Sequence, residues 1–467
     1  MPDMTDIRFE HRMSDADALM WTIEKDPLLR STITMIAVFD TLPDRKRLAE
    51  AVDRATRVVP RLRQRVVSAT LSVAPPRWEF DPNFDLAFHL RWLRAGGDGS
   101  LRDVLDIAEP IAMQGFDRAR PLWELVVVEG LEDGGAAIIM KLHHAITDGV
   151  GGIKLAMELF DLEPDGTDRG PMPDEPQVHV FNPLERLVDA ANHERRRQLG
   201  VAKRSVSTLA GAAAAAASDA VGTAQRLAET VRSVGRLLAP ATEPLSDVMT
   251  GRSLSVHFDT MRIPLADLKA ASKVAGGKLN DAFVAGVAGG LRRYHLRHGS
   301  SVPALRMSMP INIRNETTAD LAGNQFAPAR FAVPVDIDDP VARMSRIREL
   351  VTEQRGEPAL ALAEPLAAIL YRLPATLSTG VFGSMLRGVD FVTSNVPGVP
   401  IPVFLAGARM TAQFPFGPMA GAATNITLLS YLDDVLIGVN VDPAAVPDTE
   451  VFQACLREGF DEILAAR

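Results

Sequence analysis

Residues 136–152 read AAIIMKLHHAITDGVGG, an apolar run followed by two histidines, an aspartate and three glycines. The apolar run is typical of a buried β-strand, in which successive side chains point to opposite faces. His144 therefore shares a face with the apolar Leu142, whereas His143 shares the other face with Lys141. This alternation predicts that the two imidazoles do not converge on one metal ion.

A helix is predicted to follow the histidines, because apolar residues recur at helical spacing at Val150, Ile153, Met157 and Phe160. Asp148 directly precedes this pattern, so its side chain either caps the helix or takes part in chemistry beside His144. The three glycines fall in the first helical turn, although glycine costs about 1 kcal/mol in a helix interior. They indicate either a close approach of a ligand to the backbone or tight packing of the helix on a sheet.

His144 is the first candidate for chemistry, because a neutral imidazole with a pKa near ~6.5 is a natural general base for a hydroxyl nucleophile. A packed histidine at the end of a strand is the alternative interpretation. The other histidines show no ligand-like spacing, and the single cysteine, Cys455, provides no thiolate cluster. We therefore expect no metal site and no cofactor.

The composition is that of a soluble globular protein, with 467 residues, 47% hydrophobic and 23% charged. The net charge of −9 argues against nucleic acid as the main partner, because phosphate-binding surfaces need an excess of Lys and Arg. The polar N-terminus predicts no secretory signal, and no run of ~18 strongly apolar residues predicts a transmembrane helix. The single cysteine fits a reducing compartment, so a cytoplasmic location is expected.

Two breaker runs divide the chain, a run rich in proline, aspartate and glycine at residues 161–177 and APATEPLSD at residues 239–247. They predict an N-terminal domain over residues 1–165, a linker and helical connection over 166–249, and a C-terminal domain over 250–467. Both flanking domains mix helical patterns with β-hairpins. The predicted fold class is therefore α/β, as an α+β sandwich of mixed sheets.

His143, His144, Asp148 and Gly149 form the pattern HHxxxDG. This pattern resembles the active-site motif of the CoA-dependent acyltransferase superfamily, which includes chloramphenicol acetyltransferase and peptide-synthetase condensation domains. Further stretches resemble one branch, the bacterial wax ester synthase/diacylglycerol acyltransferase family. In chain order they are MSDADALMWTIEKD (13–26), VPRLRQRV (59–66), PRWEFDPNFDLAFHLR (76–91), PLW (121–123), ND (280–281), GN (323–324), SNVPG (394–398) and GAATNITLLSYLDDVLIGVNVD (421–442).

The resemblance implies two chloramphenicol acetyltransferase-like domains with a solvent channel between them. Long-chain acyl-CoA would enter from one side, and diacylglycerol or a long-chain alcohol from the other. His144 would deprotonate the acceptor hydroxyl, which attacks the thioester directly, without an acyl-enzyme. The implied product is triacylglycerol, or a wax ester when the acceptor is a long-chain alcohol.

The resemblance also implies roles for single residues. The catalytic residues would be His144 and Asp148, with Asp148 holding the loop in shape. His143 would support them, and Gly149 would keep the channel open to the CoA arm.

Four polar residues are weaker candidates for the substrate channel. Asn280 and Asp281 match the ND motif, and Asn280 is alternatively the N-cap of a helix over residues 279–299. Ser394 and Asn395 are candidate donors to the developing oxyanion, with a turn before the following proline as the alternative interpretation. The chain departs from many relatives at residues 28–35, where LLRSTITM replaces a PMHVG-like segment. The acceptor alcohol therefore does not follow from the resemblance.

The implied substrates are soluble in membranes, so we expect peripheral attachment to the inner face of the plasma membrane or to lipid droplets. The Arg- and Ala-rich connection at residues 195–238 is one candidate contact, because its arginines can meet anionic headgroups. A solvated interdomain helix is the alternative for this segment. A weakly active lipid-binding paralogue is the alternative for the whole chain.

Overall fold

The computed structural model describes residues 9–68, 74–146, 149–199, 220–241, 243–312 and 326–467. It confirms the predicted mixture of helices and strands. The helices are α1 (Asp15–Ile23), α2 (Arg45–Val58), α3 (Leu86–His89), α4 (Leu101–Met113), α5 (Gly149–Leu159), α6 (183–199), α7 (Ala220–Leu238), α8 (Leu265–Val274), α9 (Leu279–Arg297), α10 (Pro340–Arg355), α11 (Ala363–Tyr371), α12 (Ala375–Leu386) and α13 (Thr449–Ala465).

The strands alternate with these helices along the chain. They are β1 (Thr32–Phe39), β2 (Gln64–Val67), β3 (Arg77–Phe80), β4 (Leu90–Arg94), β5 (Trp123–Glu129), β6 (Ala136–His143), β7 (His257–Pro264), β8 (Ala304–Asn312), β9 (Phe326–Pro334), β10 (Phe391–Val396), β11 (Phe404–Leu405), β12 (Ala408–Phe416), β13 (Thr424–Tyr431) and β14 (Asp434–Val441).

Two six-stranded mixed sheets form the frame of the molecule. The first has the order β11-β12-β1-β6-β5-β4, and the second has the order β7-β14-β13-β10-β8-β9. Most neighbours are antiparallel, whereas β4 pairs in parallel with β5, and β10 pairs in parallel with both β13 and β8. The hairpins β5–β6 and β13–β14 confirm the β-hairpins expected in the two domains.

One segment from the second half of the chain joins the first sheet. Strands β11 and β12 come from the second half of the chain, yet β12 pairs with β1 in the first sheet, with Phe416 opposite Thr34. The exchange packs closely, because a Cβ on Gly438 of β14 would lie 1.9 Å from the carbonyl oxygen of Pro415 in β12. Sequence analysis did not predict this exchange, since each strand pattern is compatible with either sheet.

Helix ends and inner faces follow from simple chemistry. The Ser14 side chain caps α1 by accepting a hydrogen bond from the Asp17 backbone N–H. The last helix, α13, buries five apolar side chains on its inner face. They are Phe452, Cys455, Leu456, Phe460 and Ile463.

Among the described residues, none of the helices has both the length and the apolar character needed to cross a membrane.

A charged cluster connects α4 of the first half to β7 of the second. The imidazole of His257 lies 3.3 Å from a carboxylate oxygen of Asp259 and 3.3 Å from one of Glu109. Hydrogen bonds to Asp259 and Glu109 raise the pKa of His257 to about 9, against the opposing effect of burial. Arg102 bonds the same Glu109 and the Phe258 carbonyl. The cluster therefore holds a protonated histidine between the two halves at neutral pH.

We predict that His257→Gln destabilises the protein more at pH 6 than at pH 9.5. A raised folded-state pKa stabilises the folded state fully below the unfolded value near ~6.5, and this contribution disappears as the pH passes the folded value near 9. After allowance for solvent screening, the loss at pH 6 is roughly 1–2 kcal/mol. Urea unfolding of the wild type and His257→Gln at pH 6 and pH 9.5 measures the difference in their free energies of unfolding. An equal difference at the two pH values would contradict the assignment of His257 as protonated.

Candidate active site

Strand β6 ends at His143, which is fully buried. Its Nε2 lies 2.9 Å from Glu24 Oε1, and its Nδ1 accepts a hydrogen bond of 3.0 Å from the Ala145 backbone N–H. A backbone N–H can only donate, so Nδ1 carries no proton and Nε2–H donates to the Glu24 carboxylate. The rings of Trp21 and Phe116 approach the imidazole edge-on, with centroids at 5.4 and 6.1 Å. His143 is thus held in one tautomer and one orientation.

Glu24, which follows α1, connects this histidine to the start of β1. Its Oε1 also accepts a hydrogen bond of 2.7 Å from the Ser31 N–H, and the Ser31 carbonyl accepts one of 2.8 Å from the His144 N–H. Burial alone would raise the pKa of Glu24, but the hydrogen bonds donated by His143 and the Ser31 N–H, together with the positive charge of Arg118, outweigh burial and lower it. The carboxylate therefore remains ionised and joins Ser31 and both histidines in one network.

Sequence analysis missed Glu24 as a site residue. Glu24 lies 119 positions before His143, and no spacing rule connects a helix-end carboxylate to a distant strand. The one available signal was its place inside the MSDADALMWTIEKD stretch.

His144 begins the turn that follows β6, and it is half-buried. The Ile146 N–H donates to the His143 carbonyl at 2.9 Å, and both Ala145 and Ile146 are buried beneath the turn. The backbone at His144 is therefore fixed from both sides, by this bond and by the bond to Ser31. The two adjacent histidines have different surroundings, one enclosed and one partly open.

Asp148 and the preceding threonine lie outside the described residues. The next element, α5, begins at Gly149, so the three glycines occupy its first turn as expected. The predicted apolar stripe on this helix is wrong at Met157, which is 58% exposed. Leu155 and Leu159 are buried instead, one helical turn apart, because α5 packs with α2 along that face.

Lys141 shares the buried surroundings of His143. Its Nζ lies 3.0 Å from Glu124 Oε1 and 4.4 Å from the centre of the Phe116 ring. Burial, followed by the charges of Arg91 and Arg30, lowers the pKa of Lys141 to about 8. A buried lysine–carboxylate pair thus lies two residues before His143 in β6.

The predicted N-cap at Asn280 is wrong. Helix α9 has Lys278 as its N-cap, and Asn280 lies half-buried in the first turn. Asp281 explains the shift, because its carboxylate accepts a hydrogen bond of 2.7 Å from the Lys278 N–H, as the third residue of a helix often does. Asn280 instead places its Nδ2 3.8 Å from the Met309 sulfur on β8.

The alternative interpretation of Ser394 and Asn395 as a turn is wrong. Both residues lie within β10, where they pair with Thr427 and Leu428 of β13. Packing requires glycine at position 398 of the same SNVPG stretch, since a Cβ on Gly398 would lie 1.5 Å from the Ser430 carbonyl oxygen. The described residues after Asn312 resume at Phe326, so the GN pair at 323–324 lies outside them.

Other stretches of the family pattern contact one another in the first half. The Trp123 indole donates a hydrogen bond of 2.8 Å to the Leu62 carbonyl, which connects PLW to VPRLRQRV. The Arg61 guanidinium lies 4.4 Å over the Trp78 ring, which connects VPRLRQRV to PRWEFDPNFDLAFHLR. These contacts give the stretches a structural reason to occur together.

A cleft, here named the inter-half cleft, opens between the two halves. The first half contributes Leu28, Arg30, Thr32 and Thr34, all from the LLRSTITM segment, and the second half contributes Leu254, Phe258, Phe416 and Asn440. Thr32 pairs with His143 across β1 and β6, and its neighbour Ser31 binds the His144 backbone. His144 does not line the cleft, but the backbone beside one of its walls is hydrogen-bonded to the turn that carries His144.

Within the described part of the chain, no three His, Cys, Asp or Glu side chains cluster in a way that could hold a metal ion.

Comparison with known proteins agrees with this architecture. Residues 13–283 match the family model "Wax ester synthase/diacylglycerol acyltransferase catalytic domain", and residues 322–464 match "WS/DGAT C-terminal domain". The relative "Putative diacyglycerol O-acyltransferase Rv2484c" of Mycobacterium tuberculosis (strain ATCC 25618 / H37Rv) is 39% identical over 458 residues, with 98% of this chain and 92% of the relative covered. A second such relative, Rv3087 of the same strain, is 29% identical, with 97% of each chain covered.

Solved structures share the fold at low sequence identity. The wax ester synthase/diacylglycerol acyltransferase from Marinobacter aquaeolei VT8 superposes with a TM-score of 0.62 at 21% identity, over 97% of this chain and 99% of that one. The first condensation domain of the calcium-dependent antibiotic synthetase superposes with a TM-score of 0.60 at 16% identity, over 98% and 96%. Given these matches over nearly its whole length, the chain belongs to the wax ester synthase/diacylglycerol acyltransferase family of acyltransferases.

Proposed function

We propose that this protein is an acyl-CoA-dependent O-acyltransferase that esterifies diacylglycerol to triacylglycerol, with long-chain alcohols as further acceptors. The observation that carries the proposal is the geometry at the end of β6. His143 is buried and bound to Glu24, whereas His144 is half-buried on a turn whose backbone is bonded to Ser31, the neighbour of the cleft-lining Thr32. The names of the Mycobacterium relatives support diacylglycerol as the acceptor.

In the proposed reaction, His144 accepts the proton of the acceptor hydroxyl as the oxygen attacks the thioester carbonyl. The new C–O bond gives a tetrahedral intermediate, and its collapse breaks the C–S bond. The imidazolium then returns the proton to the departing CoA sulfur. The products are the ester and free CoA, and no bond forms between the acyl group and the protein.

The remaining motif residues receive supporting roles in this proposal. Asp148 holds the loop after His144 in shape, and Gly149 leaves room for the CoA arm at the start of α5. Ser394 and Asn395 are the candidate donors to the oxyanion, because they are polar residues in the strand that precedes the close approach of Gly398 to Ser430.

We predict that the purified protein transfers the acyl group of a radiolabelled long-chain acyl-CoA to diacylglycerol, with stoichiometric release of CoA. His144→Ala should lower kcat/KM by roughly 10²–10⁴-fold, because general base catalysis contributes that much. Thin-layer separation of labelled triacylglycerol, together with a thiol assay, measures both products. Long-chain alcohols in the same assay test wax ester formation.

His179→Ala is the matched control, because His179 lies on the exposed connection, where its ring packs on Phe181 rather than at the turn. This variant should retain wild-type turnover. Wild-type turnover by His144→Ala would rule out the mechanism, and lipid binding without CoA release for any acceptor would support the binding-only alternative.

We also propose that the protein attaches peripherally to anionic lipid surfaces, through α6. Helical spacing places Leu184, Leu187, Val188, Arg195 and Leu199 on one face of this helix, and all five are exposed. Leu184, for example, is 68% exposed. An apolar face with a cation fits a helix that lies at a membrane interface.

We predict that the double variant Leu184→Glu, Val188→Glu lowers sedimentation with phosphatidylglycerol-containing liposomes at least several-fold. The added carboxylates would repel anionic headgroups and prevent burial of the apolar face. Leu296→Glu is the control, because Leu296 is also exposed but ends α9 in the second half. Equal sedimentation of all three proteins, or no sedimentation of the wild type, would overturn the membrane proposal.

A further inference from the structure

A second cleft, here named the α1–α11 cleft, opens beside the contact between α1 and α11. Its walls include Trp21 and Lys25 from α1 and the turn after it, Arg118 from the segment before β5, and Arg372 and Leu373 from the end of α11. It shares no lining residue with the inter-half cleft. Three of its described lining residues are cationic, and none of them carries a carboxylate.

Lys25 has no ion-pair partner in the described part of the chain. The acidic residues on either side of it both bind elsewhere. Glu24 Oε1 bonds to His143 Nε2, and Asp26 Oδ2 lies 2.8 Å from Arg387 Nη2. The Lys25 side chain is exposed, so its ammonium group is available to a ligand in the cleft.

Arg118 is a second cation that pairs with no carboxylate in the described ranges. Its neighbour Asp117 lies instead 3.7 Å from Arg120 Nε. The central carbon of the Arg118 guanidinium lies 4.1 Å from the centre of the Trp21 ring, so an aromatic face supports this cation. Stacking covers the face of a guanidinium and leaves the N–H groups at its edge for an oxygen-bearing ligand.

Arg372, by contrast, is already neutralised. Its Nη1 lies 3.0 Å from Asp15 Oδ1, and its Nη2 lies 3.5 Å from Glu194 Oε2. The cleft therefore presents two uncompensated positive charges. Two charges match a phosphate monoester, which carries about −1.5 to −2 at pH 7, better than a phosphate diester with a single negative charge.

Exposed apolar side chains lie around the same end of α11. Leu373 lines the cleft and is 37% exposed. Ile369 and Leu377, which precede and follow it, are 63% and 56% exposed. A hydrated inorganic ion gains nothing from apolar surface, whereas the acyl chain of a lipid can bury it. Free cations beside exposed apolar side chains therefore favour an amphiphilic phosphate over an inorganic one.

Helix α6, for which membrane attachment is proposed above, lies beside this cleft. Its Glu194 bonds to Arg372, and its Arg197 lies 3.1 Å from Asp15 Oδ2 of α1. A protein that rests on a membrane through the exposed apolar face of α6 would thus hold the α1–α11 cleft close to the lipid headgroups.

We propose that the α1–α11 cleft binds the phosphate monoester of a phosphatidate-type lipid, with Lys25 and Arg118 as its two cations and Leu373 against the acyl chain. This lipid is neither the acyl donor nor the acceptor, so the assignment is independent of the proposed reaction. Diacylglycerol, which lacks the phosphate, does not compete for the cleft.

Calorimetric titration with monomeric dihexanoyl phosphatidic acid tests the assignment. Lys25→Gln and Arg118→Gln should each raise Kd about tenfold or more, the effect of losing one charge-assisted hydrogen bond. Both side chains are exposed, so the thermal midpoints should stay close to that of the wild type. Dihexanoyl phosphatidylcholine has the same acyl chains but no phosphate monoester, and it should bind the wild type at least tenfold more weakly.

Lys46→Gln is the matched control. Lys46 is also a lysine of the first half, but it lies on α2, outside the cleft, with its side chain 86% exposed. The variant makes the same change in net charge and should keep the wild-type Kd. The comparison separates binding in the cleft from the general attraction of an anion to lysines on the surface.

Several results would overturn the assignment. The absence of binding to the wild type, or an equal effect of Lys25→Gln and Lys46→Gln, would remove the site. Equal affinity for inorganic phosphate would remove the contribution of the acyl chain, and displacement of the lipid by CoA would assign the cleft to the CoA phosphates. A protein without acyl-transfer activity that still shows the expected Kd values would support the cleft assignment and contradict the proposed function, so the two proposals fail separately.

Discussion

One hydrogen-bonded carboxylate organises the site. Glu24 Oε1 accepts from both His143 Nε2 and the Ser31 N–H, and Ser31 in turn binds the His144 backbone. A buried carboxylate is stable only when donors compensate for lost hydration, and here those donors are the groups that define the turn. The imidazole of His143 is therefore held in one tautomer, while its neighbour His144 lies half-buried on the turn.

Strands β11 and β12 of the second half join the first sheet and so lie near this turn. Because β12 joins the first sheet beside β1, the second half of the chain lies against the strand that binds His144. The inter-half cleft is the space that remains between β1 and the residues around β7 and β14. The charged cluster at His257 fastens α4 to β7 beside this space. The same contacts that unite the halves thus define the walls of the inter-half cleft.

Local patterns in the sequence predicted much of the fold, because they depend on neighbouring residues. The cap at Ser14, the hairpin before His143 and the inner face of α13 all follow from spacing and propensity. The features that were missed depend on distant parts of the chain. Glu24 reaches His143 across 119 residues, and β12 crosses to the other sheet, which no local period encodes. The N-cap of α9 is Lys278 and not the predicted Asn280, because the Asp281 carboxylate accepts a hydrogen bond from the Lys278 N–H.

The most direct test of this account is the kcat for acyl transfer in two variants of Glu24. Glutamine keeps an oxygen that can accept both hydrogen bonds made by Oε1, whereas alanine removes them. If the network positions His144, Glu24→Gln keeps most of the wild-type kcat, and Glu24→Ala loses about tenfold or more with little change in KM. A wild-type kcat in Glu24→Ala, with the fold intact by thermal unfolding, would contradict the claim.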